Sequence, residues 1–185
     1  MGPQFVKLAI KNYIEKMTRK DSHMDTINIH IKKFGFHLCF ASGGATPRCV
    51  HSVGLLENFG FELVFPGGIF FLKDQVQFLF KKVIEYLKMN NGEPPFNFFN
   101  KSLGEFTFKK AHDSWTTYLL KSAVTYHKRS DFTVLQIVPG EEHFTKDTPD
   151  LSLPFNTTRE PICKCLKDEW SYYFPKNSSV VTNFD

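Results

Sequence analysis

Between Leu72 and Leu87 apolar side chains return every three or four positions. Leu72, Val76, Leu79, Phe80, Val83 and Leu87 share one face, and Asn91-Gly92 closes the run. That spacing predicts a helix over about 72–89. A similar stripe of Phe5, Leu8, Ala9, Tyr13 and Met17, with lysines opposite, predicts an N-terminal helix. A second helix is expected over about 25–33, ahead of Gly35. Elsewhere the period changes. GFHLCFA (Gly35 to Ala41) and RCVHSVGL (Arg48 to Leu55) read as strands on either side of the turn-rich SGGATP. FELVF (Phe61 to Phe65) reads as a third strand, apolar on both faces apart from Glu62. LGEFTFKKA alternates as a half-buried strand. Asp113 or Ser114 caps a helix expected to reach His127 and to bury Trp115, Tyr118 and Leu119. FTVLQIV (Phe132 to Val138) is the last strand, and Pro139-Gly140 ends it.

Short hairpins interrupted irregularly by helices predict an α+β fold with a mainly antiparallel sheet, open or closed part-way into a barrel, and helices packed against it. At 185 residues the chain fits one domain, expected over 1–155 with its N-terminal helix. An aromatic-rich extension, 156–185, is expected to pack on that domain through Trp170, Tyr172, Tyr173 and Phe174.

Composition alters this picture in one respect. The chain carries 21 Phe, and aromatic residues make up 16% of it, which implies a thick core or an apolar partner surface. The net charge of +4 comes from scattered lysine and arginine pairs, with no basic run or signature that would point to nucleic acid. No apolar run approaches the ~20 residues needed to cross a bilayer, and MGPQFVKLAIKN has no signal-like apolar region. A cytoplasmic protein is expected. Its four cysteines (Cys39, Cys49, Cys163, Cys165) would then be thiols or ligands rather than a disulfide framework.

The order of short motifs adds a resemblance. Phe34-Gly35-Phe36, His51-Ser-Val-Gly-Leu55, Gly60-Phe-Glu-Leu-Val64 and Val134-Leu-Gln-Ile-Val-Pro139 follow one another around the long helix. Together they resemble an uncharacterised bacterial family whose members read H-G-W, then P-P-F-A-Y-T-V-G-L, G-x-P-E-L and L-Q-x-V-W-P-D. The likeness spans Ile27 to Pro154. Here Phe34 stands for the family's histidine, Phe36 for its tryptophan, His51 for an aromatic and Phe61 for the proline before Glu62. The resemblance implies the fold class and a functional strip along His51 to Leu55, and no reaction. A looser likeness to split-barrel flavin or haem proteins is one of fold only.

Three sets of residues carry candidate chemistry. If the first two strands pair with Phe40 opposite Arg48, Cys39 faces Cys49 and His37 faces His51 on one sheet face, with opposed Cβ atoms ~4.5–5.5 Å apart. Two thiolates and two imidazoles match the ligand preference of zinc. Cys39 and Cys49 as a disulfide, or as plain core side chains, are the alternatives. The second set is a ligand-binding strip of His51, Ser52, Gly54, Glu62 and Gln136, where Gly54 permits close approach and Gln136 orients a ligand. Ser52 and His51 are strand neighbours pointing to opposite faces, so they form no catalytic dyad by themselves. The third set is PPFNFFN, whose Phe96, Phe98 and Phe99 form a docking surface for a protein partner if exposed together. The leading expectation is a non-catalytic binding or interaction module, and the competing one is an enzyme or cofactor binder with a pocket beside His51–Leu55.

Overall fold

The structure is a computed structural model that describes residues 22–41, 49–66, 71–140 and 150–155. The stripe over Phe5–Met17, the SGGATP turn, Gly67-Gly68, Cys163, Cys165 and the extension 156–185 lie outside the described residues.

Helix α1 occupies residues 22–34. It is followed by strands β1 (His37–Ala41) and β2 (Cys49–Val53), a one-turn helix α2 (Leu56–Phe59), strand β3 (Phe61–Phe65) and helix α3 (Lys73–Met89). Strands β4 (Asn97–Asn100) and β5 (Gly104–Lys110) come next. A 3-10 turn (Asp113–Trp115) leads into α4 (Thr116–Leu119) and α5 (Lys121–His127), and β6 (Thr133–Pro139) completes the sheet. The strands form one six-stranded sheet in the order β1-β2-β3-β6-β5-β4. It is an α+β fold, and the sheet is open, with β1 and β4 at its edges, so no barrel closes. Every pairing is antiparallel except β3–β6, which runs parallel from Phe61–Thr133 to Val64–Gln136. Two meanders, β1-β2-β3 and β4-β5-β6, thus meet along their last strands.

Both faces of the sheet are apolar. One packs Leu38, Val50, Leu63, Phe65, Phe106 and Ile137 against α3, whose Val76, Leu79, Phe80, Val83, Ile84 and Leu87 are buried. Each such side chain contributes about 1.5–3 kcal/mol on burial. Leu72 departs from the expected stripe: it is extended (ψ 158°) and 54% exposed at the N-cap, where its N–H donates to Gln75 Oε1 (2.8 Å). The opposite face packs Cys39, Cys49, Val53, Val64 and Val134 against Ile27 of α1 and against Trp115, Leu119, Leu120 and Ala123. The single helix expected over 113–127 is broken at Leu120 (φ −102°, ψ 40°). Leu119 and Leu120, on either side of the break, are both buried.

Residues 150–155 return to this second face. Leu151 N–H donates to Gln136 Oε1 (2.8 Å), and Trp115 Nε1 donates to the Leu153 carbonyl (2.8 Å). Phe155 stacks on Tyr118 at 4.4 Å between ring centroids. Among the described residues no helix is long and apolar enough to cross a membrane.

Candidate functional site

The β1–β2 pairing sets Cys39 opposite His51, His37 opposite Val53 and Ala41 opposite Cys49. The opposition of Cys39 with Cys49 and of His37 with His51 is therefore corrected by one pair. Apolar alternation specifies register only to within two residues, because a shift of that size returns every side chain to the same face. His37, Cys39, Cys49 and His51 do share a face. Cys39 and Cys49 are free thiols, so the disulfide does not form. Burial pushes both thiols up to about 12, with Glu62 adding to the effect at Cys39 and Cys39 adding to it at Cys49. A cysteine ligates zinc as its thiolate. Among the described residues no group of three or more His, Cys, Asp or Glu side chains is placed to hold a metal ion, and the zinc expectation gains no support. In a Cys163→Ser/Cys165→Ser background, native Cys39 and Cys49 should react with a thiol reagent at pH 8 about a thousandfold more slowly than in urea, following the thiolate fraction. Equal rates in the two solvents would show the thiols to be open.

The strip residues divide. Ladder pairing of β2 with β3 covers Val50–Phe65 and His51–Val64. At the next step the Leu63 N–H donates to Ser52 Oγ (2.8 Å), so a side chain takes over a backbone acceptor's role. Ser52 Oγ in turn donates to Glu62 Oε2 (2.5 Å). Gly54, at φ +101°, turns the chain so that its own N–H (2.8 Å) and that of Leu56 (3.3 Å) both donate to Glu62 Oε1. His127, at the end of α5, completes the shell with Nε2 2.8 Å from the same oxygen. The Glu62 side chain is fully buried and that of His127 is 5% exposed. A buried carboxylate needs such a set of donors, because removing it from water uncompensated is costly.

Ser52, Gly54 and Glu62 are thus brought together as expected. The chemistry of the arrangement is that of a clamp. The carboxylate lies between hydroxyl and imidazole, so His127 has no contact through which to take the Ser52 proton, and Ser52 is itself buried. Gln136 is also buried, and its carbonyl oxygen holds residue 151. Ser114 and His112 form a hydroxyl–imidazole pair (2.9 Å), and Ser114 Oγ accepts the Phe155 N–H (2.8 Å) as a staple.

No family model, curated protein or solved structure matches the chain. The family resemblance stands on motif order alone.

His51 belongs to a different group. It lies 5% exposed beside a run of imidazoles that includes His37 of β1 and His23 and His30 of α1. His30 Nδ1 and His37 Nδ1 are 2.7 Å apart, and the His23 and His37 rings meet edge-on at 6.3 Å. Among the described residues, neither ring nitrogen of His51 has a hydrogen-bond partner. Burial, reinforced by His30 and His23, pushes His37 down to about 4. Burial with His37 and His23 pushes His51 down to about 3. His23, His30 and His127 were missed in the sequence. The seven-residue spacing from His23 to His30 on one helix was the available signal for two of them.

The aromatic set divides as well. PPFNFFN contains strand β4, and Phe98 is half-buried against Tyr86 at 6.3 Å. Phe96 and Phe99 are 93% and 74% exposed.

Proposed function

We propose that this chain is a non-catalytic protein-interaction module that docks an extended segment of a partner along the β4 edge. The observation that carries the reading is the exposure of Phe99 on β4, and of Phe96 immediately before it, where the strand pairs with β5 alone among the described residues. An edge strand offers unpaired backbone groups, and apolar side chains beside them supply the burial that main-chain pairing by itself lacks. Asn97, Phe98, Phe99 and Asn100 carry no charge that would repel an added strand. Pro94 and Pro95, which have no N–H, limit pairing on the upstream side. The motif resemblance supports the fold class behind this reading and adds no reaction to it.

The test is to pan a displayed library of extended peptides against the wild-type chain and against Phe96→Ser/Phe99→Ser. Peptides selected on the wild type should lose at least about tenfold in affinity for the double variant. Their binding should also slow hydrogen exchange in β4. Peptides that bind both chains equally, or that protect another strand, would sink the reading.

A further inference from the structure

The inward face of α1 is built from two kinds of side chain. Ile27 is fully buried, with Met24 and Ile31 packed beside it in the core of the second sheet face. Between and beside them, at helical spacing, stand His23 and His30, both half-buried. Below them lie His37 on β1 and His51 on β2. An imidazole packs like an aromatic ring while neutral, and as a cation it must be solvated or paired. About half of the α1 docking face is therefore apolar only in the neutral state.

Among the described residues, the groups that face this cluster give a cation little relief. From α1 itself, Lys33 acts on His30 with the wrong sign, and Asp25 is exposed. From β1 and β2 come the protonated thiols Cys39 and Cys49. From β3 comes Glu62, whose oxygens already accept from Ser52, Gly54, Leu56 and His127. From α5, Ser122 Oγ lies 3.3 Å from His23 Nε2, while Tyr126 and His127 lie towards Glu62. Each histidine that becomes charged also meets its neighbours as like charges.

We propose that the His23, His30, His37 and His51 cluster makes the docking of α1 onto the sheet a pH-sensitive contact, which opens in mildly acidic solution while the rest of the fold stays closed. The sign follows from the histidines. All four are lowered in the docked state, His37 to about 4 and His51 to about 3, with burial the leading cause. Once α1 lifts, the imidazoles face water and return towards an ordinary value near 6.5. The open state then binds more protons below that value. Docking is fully favoured above about pH 6.5 and weakens as pH falls towards 4, by up to about tenfold per pH unit for each histidine that titrates.

Hydrogen exchange read by mass spectrometry on the full chain, from about pH 7.5 to about pH 5 and corrected for intrinsic rates, tests this. Peptides from 22–34 should lose protection by about tenfold or more below pH 6.5, with peptides from α3 and β6 unchanged. His51→Phe and His30→Gln should each flatten that response. His30→Gln changes a half-buried position, so the outcome does not hang on one core substitution. Loss of protection in α1 and α3 together would mean ordinary acid unfolding and overturn the proposal. So would full protection of α1 at pH 5, or wild-type slopes in both variants.

Discussion

Replacing His127 with leucine is expected to destabilise the fold by about 3–5 kcal/mol, because it leaves the Glu62 carboxylate buried with one of its donors gone. Glu62 would keep Ser52 Oγ and the Gly54 and Leu56 N–H groups, and none of these can move to replace an imidazole 2.8 Å from Oε1. Glu62→Gln should cost less, about 1–3 kcal/mol. The amide keeps an acceptor for the backbone donors, and its NH₂ can meet the Ser52 hydroxyl. Adding Glu62→Gln to His127→Leu should then recover part of the loss, since the uncompensated charge disappears. Urea unfolding of the three variants measures all of this. If His127→Leu costs less than about 0.5 kcal/mol, the clamp contributes nothing to stability. If Glu62→Gln and His127→Leu add independently, the two residues do not act through one another.

Gly54→Val is the second substitution with a large expected effect, about 3 kcal/mol or more. Two causes add. At φ +101° an L side chain is strained, and a β-branched one most of all. A Cβ at this position would also stand 3.0 Å from Cδ1 and Cγ1 of Ile31 and 3.3 Å from its Cγ2, on the helix packed above. Gly54→Ala in an Ile31→Ala background removes the crowding and leaves the backbone strain, so the two causes can be measured apart. Gly60→Ala is the control. Its φ is +81°, nothing lies within 4 Å of the added Cβ, and the cost should be about 1 kcal/mol from the backbone alone. Equal losses at the two glycines would mean that Ile31 yields freely. That would remove the argument for a tight α1–β2 contact.

These two predictions bear on function through the same contact. Glu62 holds the end of β2, Gly54 lets α1 approach it, and the histidines of α1 lie along the same helix face. The strip that reads in sequence as a ligand site is, in the folded chain, the place where a helix is fastened to the sheet. The exposed aromatic groups lie at the far edge of that sheet, Phe99 on β4 and Phe96 just before it.

Local periodicity by itself determined a good part of this molecule. FELVF becomes β3 at the expected residues, and α3 begins one residue after the expected start, because an uninterrupted apolar period leaves few alternatives. The α+β class and the mainly antiparallel pairing were also legible, from short hairpins between amphipathic helices. The need for a partner at Glu62 was visible as a lone carboxylate in an apolar strand. Its identity was not, because His127 lies 65 positions further along and meets Glu62 only when α5 packs on β2. The β1–β2 register depended on how the intervening turn closes, since alternation is blind to a shift of two. NFFN offered no clean alternation, so β4 became a strand only by pairing with β5. Which phenylalanine is core and which is surface was likewise decided there: Phe98 has Tyr86 of α3 to cover it, and Phe96 and Phe99 do not. Elements set by neighbours in the chain are written in the sequence, whereas a charge's partner, a strand's register and a ring's burial depend on which distant surfaces come together.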